Sequence, residues 1–183
     1  IGVGLALGIP AVAVMGFVGG TAFVGGALAL MFLLGAEAAA APAVVSEAAL
    51  IYMARHRNLM LSLAMIGAQA GGTFIALYFA KAAGWEAKWL AAIPAAVMMT
   101  TLGLASLAKR HLLMHLLGQP IRVLRWPLLW ATAGAAGLGY FANMMPDWAE
   151  LLFGVPAILG VYCFIIWTKG FGPEDRALFK KQK

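Results

Sequence analysis

Residues 22–57 read AFVGGALALMFLLGAEAAAAPAVVSEAALIYMARHR, and the fold is decided there. The stretch is almost wholly apolar until it reaches a basic cluster, Arg55-His56-Arg57. As one helix it would run about 50 Å at 1.5 Å per residue, well beyond a hydrocarbon core of about 30 Å. It carries two acids, Glu37 and Glu47, where lipid resists charge, and a proline, Pro42, able to bend it. A segment that is overlong, bendable and acidic points to a transport path rather than a plain anchor.

The rest of the chain fits that setting. Of its 183 residues, 63% are hydrophobic and 11% charged, where soluble domains run about 45–50% apolar and about 25% charged. The mean hydropathy is +0.90. The single cysteine, Cys163, forms no internal disulfide and no metal cluster, and reads as a small apolar lining residue. The net charge of +6 does not mark a nucleic-acid partner. Its basic residues sit between apolar runs, where they set orientation in a bilayer. The chain opens at Ile1 inside an apolar run with no charged n-region before it, so that run does not read as a signal peptide. The expectation is the C-terminal part of a longer protein, with the basic ALFKKQK as its genuine end.

Apolar runs predict an all-α, polytopic transmembrane bundle of about six helices in residues 1–168, followed by a basic tail over 169–183. The predicted spans are 1–18, 22–54, 59–80, 89–107, 126–144 and 151–168. Pro10 is placed to kink the first. The second is one helix bent near Pro42, or an interfacial segment over 22–34 followed by a crossing over 35–54. Gln69 and Thr73 lie one turn apart on the third. Trp85 and Trp89 flank Lys81, Glu86 and Lys88, which makes that loop a membrane boundary. No Lys or Arg falls inside a predicted span. Residues 109–125, KRHLLMHLLGQPIRVLR, are expected to lie as a short amphipathic helix on the membrane surface before Pro120 turns the chain.

Six crossings assign an orientation that charge can test. With Arg55 and Arg57 in the cytoplasm, alternation brings Lys109, Arg110, Arg122 and Arg125 to the same side. It also brings Lys169, Arg176, Lys180, Lys181 and Lys183 there. Only Lys81 and Lys88 fall opposite, near acidic Glu86. This asymmetry implies a multi-pass protein with a cytoplasmic C-terminus.

No nucleophile elbow, zincin, P-loop or paired-cysteine pattern is present, so no enzyme activity and no cofactor are expected. His56, His111 and His115 lie in basic segments near headgroups. His111 and His115 have the i,i+4 spacing of metal ligands but no accompanying carboxylate, and no metal is expected. Glu37 and Glu47 face a cavity, to bind a proton, a cation or a sugar hydroxyl, or serve the structure. Ten residues separate them, about 280° around a helix, so they do not share a face. Gln69 and Thr73 bond a neighbouring helix or line a path. Trp126 and Trp130 read as an interface belt.

The order of features resembles a known family. A short helix ends in Gly-Phe-Val-Gly-Gly, and an overlong helix then ends in Ala54-Arg55-His56-Arg57-Asn58. A further helix, a loop and a Gly/Ala-rich helix follow. Pro42-Ala-Val-Val-Ser-Glu-Ala-Ala-Leu-Ile-Tyr is similar to the late helix of polysaccharide-exporting flippases of the MATE-like multidrug/oligosaccharidyl-lipid/polysaccharide superfamily. Gly172-Pro173-Glu174-Asp175-Arg176-Ala177-Leu178 is similar to their cytoplasmic tails. The resemblance implies half of a two-lobe transporter in a bacterial inner membrane, completed by the N-terminal half of the same chain. It implies alternating-access export of undecaprenyl-pyrophosphate-linked oligosaccharide. Glu37, Glu47, Gln69 and Thr73 would then border the path, and Arg55, Arg57, Arg122 and Arg125 the cytoplasmic mouth. Such flippases need cations in the cavity to meet the pyrophosphate, and these spans supply none. The rival readings are a cation-coupled exporter of drugs or metabolites using Glu37 or Glu47, and a structural membrane subunit. An intramembrane transferase lacks its acidic clusters or His-Asp pairs.

Overall fold

A computed structural model describes residues 1–119 and 126–170, and every described element is helical. α1 (Gly2–Gly8) and α2 (Ala11–Gly19) meet at an angle of 70° across buried Pro10, which has no N–H to carry the helix ladder through. A 3₁₀ segment, Thr21–Gly26, leads into α3 (Ala27–Met53). Together they form a single helix over Thr21–Met53, so the second run is one rod with Pro42 inside it. The Ser46 hydroxyl donates to the Pro42 carbonyl at 3.1 Å, one turn back, as helical serines commonly do.

α4 (Arg55–Ala82) begins one residue after α3 ends. Only Ala54, at φ −151° and ψ 52°, breaks the two. Arg55, His56 and Arg57 are therefore the first turn of α4 rather than a loop. Cations there oppose the helix dipole, a cost that anionic headgroups or water offset at a membrane surface.

α5 (Ala87–Leu117) corrects the expected boundary most. The predicted span stops at 107 and the next segment is expected on the membrane surface. The helix instead continues to Leu117 and ends at Gly118 in the left-handed region, φ 64°. It continues because Leu113 is buried seven residues after buried Ser106, so the inward-facing stripe has not ended at 107. As a consequence, Lys109 and Arg110 lie on the spanning helix itself.

α6 (Trp126–Ala142) packs on α7 (Asp147–Gly170), which includes two π-helical turns, Glu150–Gly154 and Ile166–Gly170. Ala6, Ala135 and Ile158 form a fully buried cluster joining α1, α6 and α7. α1 is a wedge: a Cβ at Gly4 would lie 3.3 Å from the Leu34 carbonyl oxygen of α3, and one at Gly2 only 2.6 Å from the Tyr162 ring of α7. It thus joins the α6–α7 pair to a bundle in which α3 packs along α5 and α4 flanks α5.

Thr21–Met53, Arg55–Ala82, Ala87–Leu117 and Asp147–Gly170 are each long and apolar enough to cross a membrane. The bent α1–α2 pair brings the number to five if it makes one crossing. α6, with 17 residues, reaches roughly 26 Å, just short of a core of about 30 Å. Large side chains such as Phe74, Tyr78 and Phe79 on α4 and Leu104 and Leu107 on α5 are exposed, as lipid-facing residues are. The chain is a membrane protein built of transmembrane helices.

Candidate functional site

The polar groups gather where α3 meets α5. A Cβ at Gly35 would lie 2.6 Å from Met99 Sδ, and one at Gly103 would lie 4.0 Å from Ala39 Cβ. Further along, Lys109 Nζ is 3.0 Å from Glu47 Oε2. Residue numbers rise together on the two helices, so α3 and α5 run parallel, with α4 the return helix that links them in sequence. Ala36, Ala43 and Leu50 on α3 are buried at seven-residue spacing; Ala92, Ser106 and Leu113 follow the same period on α5, with half-buried Met99 between. A second row on α5 runs from Ala95 to Lys109. Lys109 thus occupies a seam position that a hydrophobic residue ordinarily fills.

Lys109 is 4% exposed, whereas the Glu47 side chain keeps 39% of its surface. The pair sits roughly 12 Å before Arg55, counting eight residues along the chain from Glu47. An ammonium removed from water at that depth requires its carboxylate, and Glu47 supplies it. Of the two candidate acids, Glu47 is therefore half of an interhelical ion pair. Glu37 is exposed on α3 and does not share this face, in keeping with the 280° between them.

Gln69 ties α4 to α5. Its Nε2 donates to the Pro94 carbonyl at 3.2 Å, and its Oε1 accepts from the Thr101 hydroxyl at 2.6 Å. Both ends of one amide are used across one helix boundary, and the partner carbonyl belongs to the proline inside α5. Thr73, one turn further on, is half-buried on the same helix. A Cβ at neighbouring Gly72 would lie 3.1 Å from Val97 of α5, so α4 approaches α5 closely at this level. Arg55 and Arg57 are exposed at the start of α4. Arg122 and Arg125 lie outside the described residues, as does the tail over 171–183.

Beside the seam is a groove of about 590 Å³, lined by Ala39, Pro42, Thr100, Gly103, Ser106 and Arg110 among others. The absence of Lys and Arg from the spans is thereby corrected: Lys109 is in the seam and Arg110 on the groove wall, because α5 continues ten residues past the end of its predicted run at 107. The reading from sequence also missed Glu150, which is 5% exposed and whose Oε1 has no hydrogen-bond partner among the described residues. It missed buried Asn58 as well. The second seven-residue row, Ala95 to Leu102 to Lys109, was the signal that would have found Lys109. Glu150 carried no comparable signal, since it directly precedes an apolar run and reads as loop. Among the described residues, no three His, Cys, Asp or Glu side chains converge to hold a metal ion.

Comparison with protein-family models, with curated proteins and with solved structures finds no match for this chain.

Proposed function

We propose that the chain is the C-terminal, six-helix lobe of a MATE-like flippase that exports lipid-linked oligosaccharide across a bacterial inner membrane. The observation that carries a transport reading is the buried Lys109–Glu47 pair between two long apolar helices. Ionisable groups at such positions are costly in lipid, and they ordinarily mark a path or a moving joint. The choice of cargo rests on the resemblance carried by residues 42–52 and 172–178. Arg110, on the wall of a membrane-spanning helix, also answers the need of a pyrophosphate cargo for a cation above the mouth. Arg55 and Arg57 would guard the cytoplasmic entrance, with Glu37 and Thr73 bordering the route. The C-terminus would be cytoplasmic and the N-terminal half of the full-length protein would close the cavity.

The test is made in the full-length protein. Its removal should abolish surface polysaccharide and leave the lipid-linked repeat unit on the cytoplasmic leaflet. Restoration by the wild-type protein but not by E47Q supports the reading. Unchanged polymer on removal refutes it. Unchanged polymer with both E37Q and E47Q removes these acids from the path. A cation-coupled exporter of small molecules is the second reading. Buried Glu150, with an unpartnered oxygen, favours it as a proton acceptor. Drug efflux dependent on Glu150, with normal polymer, would establish it.

A further inference from the structure

The turn that joins α4 to α5 holds a second cleft, of about 380 Å³, lined by Gly84, Trp85, Glu86 and Trp89. The backbone sets its walls. α4 closes in a Schellman motif: the Trp85 N–H donates to the Ala80 carbonyl at 3.0 Å, and the Gly84 N–H to the Lys81 carbonyl at 3.1 Å. Gly84 takes the left-handed conformation that this closure requires, φ 71°. A Cβ there would meet nothing within 4 Å, so the cleft is open on that side. Glu86 then begins α5, its carbonyl accepting from the N–H groups of Trp89 and Leu90 at 3.0 and 3.1 Å. Both indoles therefore stand on fixed backbone. They are 53% and 46% exposed, and neither is in ring contact with another aromatic side chain among the described residues. α4 and α5 are each long and apolar enough to cross a membrane, so their shared turn and its indoles lie at a membrane surface.

We propose that this cleft binds the headgroup of a zwitterionic phospholipid, with its ammonium between the two indoles and its phosphate toward Lys81. An indole face is the best aromatic partner for a cation, and two of them beside a carboxylate make a site for a substituted ammonium. A bare cation is a poorer match, because Lys81, Glu86 and Lys88 leave this turn with a net positive charge. Glu86 Oε2 is already held by Lys88 Nζ at 2.7 Å, so the ammonium contact falls chiefly to the indoles. Lys81 is exposed in the last turn of α4, has no ion pair among the described residues, and belongs to the same helix closure as Gly84. An anionic headgroup would satisfy Lys81 but set its charge against the indole faces and Glu86. A zwitterion offers each sign to its complement. The source follows from depth: at a membrane surface, a lipid headgroup reaches the cleft without leaving the bilayer. The inference holds whichever side of the membrane the turn faces, and it does not rest on the cargo proposed above.

The intact protein, labelled with 5-fluorotryptophan, is placed in nanodiscs of phosphatidylglycerol that contain phosphatidylcholine, phosphatidylethanolamine or neither. The fluorine resonances of Trp85 and Trp89, assigned through W85F and W89F, and the lipid retained through purification are both measured. Wild type should retain the zwitterionic lipids about tenfold over phosphatidylglycerol, with both resonances shifted. Phosphatidylcholine should exceed phosphatidylethanolamine, because a methylated ammonium relies on the indole faces. W85A and W89A should each lower the preference about fivefold, the worth of one cation–π contact, while W85F keeps part of it. K81Q should lower it about twofold. W148A removes an exposed indole at the start of another helix and should change nothing. Equal retention of the three lipids by wild type overturns the proposal. So does an equal loss in W148A and W85A, which would mean a general interfacial belt. A preference for phosphatidylethanolamine over phosphatidylcholine would move the ammonium to Glu86 and overturn the indole contact. A shift of both resonances by soluble phosphocholine, with none from the lipids, overturns the lipid source.

Discussion

Removing either partner of the Glu47–Lys109 pair should destabilise the protein unequally. In E47Q the ammonium of Lys109, 4% exposed, loses its counter-charge. Breaking a buried pair from that side costs about 3–5 kcal/mol. In K109M the stranded group is Glu47, whose side chain keeps 39% of its surface and is far less desolvated than Lys109. The loss there belongs nearer the exposed range, about 1 kcal/mol or less, and methionine fills the seam position with a side chain of similar length. E47Q should therefore be the worse variant by about 2 kcal/mol, or about 30-fold in the unfolding equilibrium. The double variant E47Q/K109M should recover most of the loss, since no unpaired charge remains. Reversible unfolding in mixed micelles titrated with dodecyl sulfate, followed by tryptophan fluorescence, measures all four corners of the cycle. If K109M proves as damaging as E47Q, or the double variant equals the sum of the singles, the burial asymmetry does not govern the pair.

Three further outcomes follow from the geometry. T101V removes the hydroxyl bond that Gln69 Oε1 accepts at 2.6 Å and should cost about 0.6–1.7 kcal/mol in the same unfolding assay, with Q69L adding a further loss because it also removes the Nε2 bond to the Pro94 carbonyl. G139A should destabilise by about 1–3 kcal/mol, because its Cβ would lie 2.5 Å from Ile9 Cδ1 and 3.3 Å from Ile158 Cδ1. G137A, two residues away with nothing within 4 Å of its Cβ, should stay within about 0.5 kcal/mol; equal losses would refute the packing argument. In a C163A background, H56C and K169C should react with an impermeant maleimide from one face of the membrane and E86C from the other. Labelling of H56C and E86C from the same face would refute the orientation.

Much of the helix pattern was legible in the sequence because lipid imposes a simple rule. Every backbone polar group must be satisfied within its own segment, so long apolar runs become helices. The overlong 22–54 run is a single helix, and the third run lies wholly within α4. The far end of α5 was not legible in that way. Window hydropathy falls at Lys109-Arg110-His111, but helix continuation depends on the stripe that packs inward. Leu113 carries that stripe past Arg110 and His111, while Lys109 stays within the buried seam by pairing with Glu47. The basic cluster at 55–57 falls between two predicted spans, yet a helix begins as soon as one residue, Ala54, leaves helical geometry.

The pairing of helices was hidden more deeply. Consecutive helices joined by a one-residue break would be expected to pack together, but α3 packs chiefly on α5 and only lightly on α4. The reason lies in the side chains offered. α3 presents Gly35, Ala36, Ala39 and Ala43 on one side, and α5 presents Ala92, Ala95 and Gly103, so two backbones approach closely where lipid gives no hydrophobic drive. α4 offers bulky Phe74, Tyr78 and Phe79 outward and reaches α5 through Gln69 and Gly72. Once α3 and α5 are parallel neighbours, Glu47 and Lys109 fall at the same level although 62 residues separate them. Neither residue is then an isolated charge in lipid. The cationic group whose absence from the spans argued against a pyrophosphate path becomes one of two, with Lys109 held in the seam and Arg110 on the groove. The role of the seam pair is physical: a buried ammonium held by a carboxylate on the facing helix fixes the register of α3 against α5.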